Sequence, residues 1–141
     1  MNATPRRRRL EEGFTLIEIM VVILILGLLA TIVVQSLKGA TDKAKRTKAE
    51  ADISEIKTAL DRYYLDNGYY PTSDQGLRAL VEKPAGVGAW NGPYVKGTEP
   101  VDPWNHPYAY RAPSDRSGHD YDLCSGGPSG NVGGSDQICN P

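Results

Sequence analysis

The sequence predicts an α+β protein in which a long amino-terminal helix, half membrane-type and half amphipathic, packs on a small head. A short helix and a roughly three-stranded antiparallel sheet are expected in the head. The run from Ile19 to Val34 has no charged residue, although the mean hydropathy of the 141-residue chain is −0.42. Such uneven hydropathy indicates a membrane or assembly stalk joined to a polar head. It excludes a uniformly globular enzyme, a collagen-like chain and a fully disordered chain.

Length, charge and composition narrow the function further. A chain of 141 residues has room for one modest domain. Its net charge of −1 gives no electrostatic reason to expect a nucleic-acid partner. His106 and His119 lie in a Pro/Gly-rich region without ligand spacing, and the sequence has no catalytic triad or phosphate-binding motif. We therefore expect no enzymatic activity.

The amino terminus carries a basic segment followed by a long apolar one. Residues 1–13 include four consecutive arginines, and residues 14–34 form the apolar stretch. As a helix, this stretch is about 30 Å long, the thickness of a bilayer's hydrocarbon core. A secretory signal peptide is the alternative. A retained membrane helix is favoured because the stretch is too long for a signal core and no small-residue cleavage site follows it. Basic residues flank both ends, so charge does not decide the orientation.

Glu18 is the anomaly of the apolar stretch. A carboxylate costs about 2.5–3.5 kcal/mol at the bilayer centre. On one interpretation its side chain simply reaches the interface. On the other it needs a cation, and a cut before Phe14 would create an α-ammonium one helical turn away. The residues alone leave both interpretations open.

The segment Gly13-Phe14-Thr15-Leu16-Ile17-Glu18, followed by the apolar helix, resembles the class III signal of type IV pilins and related pseudopilins. The resemblance implies that residues 1–13 are a cytoplasmic leader. A membrane prepilin peptidase would cut after Gly13 and N-methylate Phe14. Glu18 would guide the subunit into a filament by pairing with a neighbour's amino terminus. The head would then lie in the periplasm.

Residues 35–65 are expected to continue the helix, giving one helix from about Thr15 to Leu65. Apolar or small residues recur at a 4-3-4-3 spacing that defines one helical face, at Ala49, Ile53, Ile56, Leu60 and Tyr63. The basic residues of 43–48 are interpreted as a solvated face rather than a nucleic-acid or lipid-headgroup site, because acids follow at once and no aromatic residues interleave.

Residues 66–141 form the predicted head. Asn67-Gly68 is suited to ending the long helix. Ser73 or Asp74 is expected to cap a short helix that ends before Pro84. Aromatic residues, including Trp90, Trp104 and most tyrosines, are expected to fill the interface with the long helix. The three expected strands are Tyr94–Lys96, Tyr108–Arg111 and Tyr121–Cys124.

Two stretches of the head, NGYYPTSDQGLRALVEKP and DPWNHPYAYR, together with the Gly-Pro-x-Gly motif at 127–130, resemble the major pseudopilin family of type II secretion systems. The resemblance implies a structural subunit that polymerises to drive protein export across the outer membrane. It also implies several partners: further copies of the chain, minor pseudopilins, the prepilin peptidase, an inner-membrane assembly platform and, before assembly, inner-membrane lipid.

Members of this family typically bind Ca²⁺ in the last loop. Here Ser129 stands where an aspartate is usual, and Asp136-Gln137 stands where two acids are common. Calcium prefers six to eight oxygen ligands, several of them charged. We therefore expect no cofactor, with a weak Ca²⁺ site at Asp136 and Ser129 as the alternative. Because Cys124 and Cys139 flank the same loop, we predict that a disulfide replaces the metal; two free thiols are the alternative.

Two other functions compete with the pseudopilus subunit. One is the major pilin of a type IV pilus, serving adhesion, motility or DNA uptake, which a carboxyl-terminal disulfide loop favours slightly. The other is a monomeric, membrane-tethered periplasmic binding domain. The DQGL and DPW…PY segments favour the pseudopilin.

Overall fold

The computed structural model describes residues 13–141, without the side chains of residues 35–38. Residues 1–12, and with them nearly all of the predicted leader, lie outside the described part. Contacts divide the chain into a first unit that ends at Gly39 and a second unit, Ala40–Pro141. The elements are helix α1 (Leu16–Asn67), two short 3₁₀-helices (Leu77–Leu80 and Gly127–Ser129) and strands β1 (Ala109–Arg111), β2 (Asp122–Ser125) and β3 (Ile138–Cys139).

In the part of the first unit that the structure describes, from Gly13 on, no large apolar side chain is buried. Every large apolar side chain from Phe14 to Val34 is exposed, on all sides of the helix. By length and composition α1 can cross a membrane, a test that signal sequences also pass. A helix that is apolar all round is stable only where lipid or protein surrounds it.

The second unit is built on the amphipathic part of α1. The five residues of the predicted face are all buried, which confirms the 4-3-4-3 pattern: Ala49, Ile53, Ile56, Leu60 and Tyr63. Side chains from the rest of the unit complete this core, among them Leu77, Leu80, Tyr108, Tyr121 and Leu123. Burial of the apolar face, rather than helix propensity alone, therefore stabilises this half of α1.

The predicted end of α1 is confirmed. The helix stops at Asn67, and Gly68 adopts a left-handed φ of 81°. The Gly68 amide donates to the carbonyl of Tyr64 at 2.7 Å, so one of the last carbonyls of the helix is satisfied.

The second helix is shorter than expected, and its predicted cap is wrong. It is the 3₁₀-turn Leu77–Leu80, preceded by Gly76, and no side chain caps it. Ser73 instead exchanges two hydrogen bonds with the backbone of Ala112, donating at 3.0 Å and accepting at 2.9 Å. Ser73 thus joins the segment before this 3₁₀-turn to the end of β1. Asp74 is exposed.

The sheet is antiparallel in the order β1-β2-β3, with Ala109 opposite Cys124 and Cys124 opposite Cys139. The predicted strand Tyr94–Lys96 is wrong. The amides of Tyr94 and Val95 donate to the carbonyl of Leu80, at 2.7 and 3.2 Å, instead of to a strand. The third strand is instead Ile138–Cys139. A strand of two residues is too short to show the alternating pattern by which strands are predicted from sequence.

Most aromatic residues pack as predicted. Tyr63, Tyr108 and Tyr121 are buried, and four further rings pack against the core: Tyr70, Trp90, Tyr94 and Tyr110. Three tyrosine or tryptophan rings lie outside this cluster. Tyr64 and Tyr69 are each 45% exposed, and the centroid of the Trp104 ring lies 5.9 Å from the Lys45 ammonium.

Candidate functional site

The first candidate site is the amino-terminal segment, residues 13–34. Its helix begins at Leu16, and the Thr15 hydroxyl accepts a 3.3 Å hydrogen bond from the Glu18 amide. This is an N-cap, and Thr-x-x-Glu is the sequence pattern of a capping box. The capping role of Thr15 was missed at the sequence level although the pattern was visible. The cap sets where the helix starts and so keeps Glu18 in the first turn.

The Glu18 side chain is exposed and has no ion-pair partner among residues 13–141. A carboxylate in the first turn is favoured by the positive end of the helix dipole. Phe14 is 79% exposed, and the space around Gly13 is open. None of the described residues therefore covers the Gly13–Phe14 junction. Cleavage, methylation of Phe14 and pairing of Glu18 remain predictions.

The second candidate site is the carboxyl-terminal loop, residues 125–137. Cys124 and Cys139 form a disulfide at its base, where they face each other across β2 and β3. The predicted disulfide is confirmed. Inside the loop, the Ser129 hydroxyl donates to the Gly126 carbonyl and accepts from the Asn131 amide, both at 3.3 Å. Its oxygen is therefore already used by the loop itself.

The charged group of this loop is Asp136. One of its oxygens lies 3.2 Å from the Arg46 guanidinium of α1. The neighbouring Gln137 side-chain oxygen accepts a 2.6 Å hydrogen bond from the Gly133 amide. No group of three His, Cys, Asp or Glu side chains suited to a metal occurs among residues 13–141. A single carboxylate, already paired with a guanidinium, does not fit the donor set that calcium prefers.

The buried carboxylate of Asp102 joins this loop to the turn at residues 102–106. Asp102 is 2% exposed and accepts hydrogen bonds from the Ser125 hydroxyl at 2.6 Å and from the His106 amide at 2.8 Å. The Trp104 amide donates to the same oxygen as His106, at 3.0 Å. Asp102 was missed as a key residue, although an Asp-Pro pair such as Asp102-Pro103 is a known turn signal.

Serine, histidine and aspartate meet at this point, but they do not form a hydrolytic site. The Ser125 hydroxyl donates to Asp102 and not to His106, so the serine–imidazole contact of a hydrolytic triad is not formed. Ser125 is also fully buried. His119 belongs to another part of the head, where its amide donates to the carbonyl of Arg116. Neither histidine therefore forms a hydrogen bond to the Ser125 hydroxyl in the described part of the chain.

The end of the chain is fixed by Arg116. Its guanidinium hydrogen-bonds to Asp122 of β2, which lowers the pKa of that carboxyl. It also donates to the side-chain oxygen of Asn140 at 2.5 Å. The same Asn140 oxygen accepts from the Leu123 amide at 3.0 Å. Arg116 therefore holds the last residues, and with them β3, against β2.

The chain is similar to families of known proteins. Residues 36–140 match the model of "Type II secretion system (T2SS), protein G", and residues 8–34 match that of "Prokaryotic N-terminal methylation motif". The second match contains the Gly13–Phe14 junction.

Individual relatives agree with these matches. The chain is 50% identical over 133 residues to the type II secretion system core protein G of Pseudomonas aeruginosa, covering 92% of each chain. It is 44% identical over 144 residues to that of Escherichia coli K12, covering 99% of this chain and 94% of the relative. The crystal structure of the major pseudopilin from the type 2 secretion system of enterohaemorrhagic E. coli is similar with a TM-score of 0.66. That similarity has 39% identity and covers 74% of this chain and 88% of the other.

Proposed function

This chain belongs to the type II secretion system protein G family, and from that premise we propose how it acts as a structural subunit of the pseudopilus. The prepilin peptidase removes the leader after Gly13 and methylates the new amino group of Phe14. Residues 14–34 then hold the subunit in the inner membrane as a single span, and the second unit, Ala40–Pro141, faces the periplasm.

The observation that carries this proposal is the exposure of every large apolar side chain from Phe14 to Val34. Water is an unfavourable environment for such a surface, at about 25 cal/mol for each Å² exposed. Lipid covers it before assembly. In the filament the same surface packs against copies of itself, so a subunit can leave the bilayer without exposing its helix to water.

Glu18 guides this transfer. Cleavage leaves an α-ammonium on Phe14, close to the positive end of α1. In a bundle of apolar helices an unpaired charge is costly, and the attraction between opposite charges is stronger than in water. A subunit is therefore favoured at the depth where its Glu18 meets the amino terminus of a neighbour.

Growth of the filament pushes exported proteins toward the outer membrane. Minor pseudopilins begin or cap the filament, and an inner-membrane platform adds subunits. The energy comes from a separate cytoplasmic ATPase, since the sequence carries no nucleotide-binding motif. The alternative of a type IV pilus is not favoured, because the relatives are secretion-system proteins.

The proposal is tested with Glu18→Ala in the full chain, with Glu50→Ala as the matched control. Both carboxylates are exposed on α1, but only Glu18 lies in the apolar segment. We expect Glu18→Ala to insert in the membrane yet yield no filaments that can be sheared and pelleted, and no secreted exoprotein. Glu50→Ala should behave as the wild type does. Normal filaments from Glu18→Ala would contradict the proposal.

Processing is tested separately by mass spectrometry. The mature chain should begin at Phe14 and carry one added methyl group. Gly13→Val should retain the leader, because the larger side chain obstructs the cleavage junction. A mature wild-type chain that keeps its arginines would overturn the processing step.

A further inference from the structure

The carboxyl-terminal loop is held from three directions. The disulfide closes its base, Asp102 binds its first residue, Ser125, and Arg46 of α1 binds Asp136 near its end. Of the three, the contact from Arg46 comes from the greatest distance in sequence, 90 residues away. It is also the one that connects the loop to the long helix.

Several oxygens of the loop already have a contact within the fold. The carbonyl oxygen of Asp136 lies against Gly127, where an added Cβ would overlap it. Gly127 has a φ of 64°, so its conformation also excludes most other residues. Ser129 and Gln137 are used within the loop, as described above. Asp136 is the one acidic residue of the loop, and the Arg46 guanidinium already pairs with its carboxylate.

We infer that Arg46 is the built-in cation of the carboxyl-terminal loop, so that an ion pair and a disulfide hold this loop without a bound calcium ion. Arg46 is a positioning residue: it fixes where the loop lies on α1. A divalent cation at Asp136 would have to approach a fixed positive charge at short range, with one carboxylate to attract it. The inference concerns only the second unit, Ala40–Pro141, and stands whether or not the chain assembles into a filament.

Arg46 differs from the neighbouring basic residues of α1. The Lys48 ammonium binds Asp52 on the same helix, at 2.7 Å. Lys43 is exposed and has no side-chain partner among residues 13–141. The Lys45 ammonium lies over the Trp104 ring, 5.9 Å from its centroid. Among the described basic side chains of residues 43–48, Arg46 is thus the one paired with the loop, and Lys43→Gln is a matched control for Arg46→Gln.

The test is hydrogen–deuterium exchange of residues 129–137 in the full, oxidised chain in detergent. Arg46→Gln should raise exchange about two- to fivefold, the range expected for a pair of half-exposed charges. Asp136→Asn should do the same, and the double variant should exchange no faster than either single one. Arg46→Lys should restore most of the protection. Lys43→Gln should leave the loop unchanged.

Calcium chloride is the second arm of the same experiment. Millimolar CaCl₂, compared with a chelator, should change neither the exchange of the loop nor the melting temperature of the wild type. Slower exchange or a higher melting temperature with CaCl₂ would overturn the inference. Equal exchange in Arg46→Gln and Lys43→Gln would overturn it as well, because Arg46 would then contribute nothing to the loop.

Discussion

The Tyr108 hydroxyl donates a 3.2 Å hydrogen bond to the carboxylate of Asp52, joining the chain just before β1 to the long helix. The pattern recurs twice along α1. The Tyr70 hydroxyl donates to Asp61 at 3.1 Å, and the Tyr94 hydroxyl donates to Asp66 at 2.7 Å. Three aromatic side chains of the head thus combine burial with a polar contact to the helix, which sets the position of the head along α1.

The first prediction concerns this contact. Tyr108→Phe should lower the free energy of unfolding of the second unit by about 1 kcal/mol, because a partly buried hydrogen bond is lost while Lys48 still neutralises Asp52. Tyr63→Phe is the control. The Tyr63 hydroxyl is buried without a hydrogen-bond partner among the described residues, so its removal should be neutral or stabilising. Urea unfolding followed by near-ultraviolet circular dichroism measures both; equal losses would contradict the prediction.

The buried tyrosines also predict an alkaline limit to stability. Burial raises the pKa of Tyr63 and of Tyr70 to about 12, and it raises the pKa of Tyr108, Tyr110 and Tyr121 as well. In the unfolded chain a tyrosine titrates near pH 10. Because the folded state holds these protons more tightly, their contribution is complete below about pH 10 and is lost as the pH rises toward the folded pKa values.

Tyrosinate absorbance and circular dichroism, recorded together against pH, test this limit. A fraction of the tyrosines should ionise only as the near-ultraviolet circular dichroism signal, which reports tertiary structure, disappears. The urea-unfolded chain should instead titrate in one step near pH 10. Ionisation of all eight tyrosines near pH 10 with the tertiary signal intact would contradict the prediction.

The Cys124–Cys139 disulfide stabilises the fold by restricting the unfolded chain. Its 15-residue separation corresponds to about 3 kcal/mol in the chain-entropy model, so the double variant Cys124→Ser/Cys139→Ser should lose stability of that order. In the native chain both thiols should resist alkylation until a reductant is added, which mass spectrometry measures. Because the double variant has no disulfide, the reductant should not change its stability. This variant therefore controls for other effects of the reductant. Alkylation of the untreated chain would refute the disulfide.

The helix and its buried face could be predicted because both depend on local periodicity. One side of α1 carries Ile53, Ile56 and Leu60 at helical spacing, and a helix that buries them explains the pattern without further information. The strong turn signal of Asn67-Gly68 marked its end in the same way. The disulfide could be predicted because the chain has only two cysteines, placed on either side of one loop.

The missed features depend on contacts between distant residues. Tyr94–Lys96 has the composition of a strand, but its amides are taken by the Leu80 carbonyl. The pairing of Ile138 and Cys139 with β2 depends on the disulfide and on Asn140, so those two residues carry little signal alone. Arg46 is one of several basic residues on α1, and no pattern separates it from them before the loop is folded.

Asp102 connects the turn at residues 102–106 to the carboxyl-terminal loop, residues 125–137, so we expect their stabilities to depend on each other. Its carboxylate accepts from Ser125 and from two backbone amides, and its side chain is fully buried. In Asp102→Asn one oxygen is replaced by a donor that faces the Ser125 hydroxyl, so we expect a loss of about 1–3 kcal/mol in the free energy of unfolding. Asp74→Asn, at an exposed position, should stay within about 0.5 kcal/mol of the wild type. Because Ser125 and Asp102 form one contact, adding Ser125→Ala to Asp102→Asn should cause little further loss in the free energy of unfolding, measured with urea. Additive losses would mean that the turn and the loop are stabilised independently.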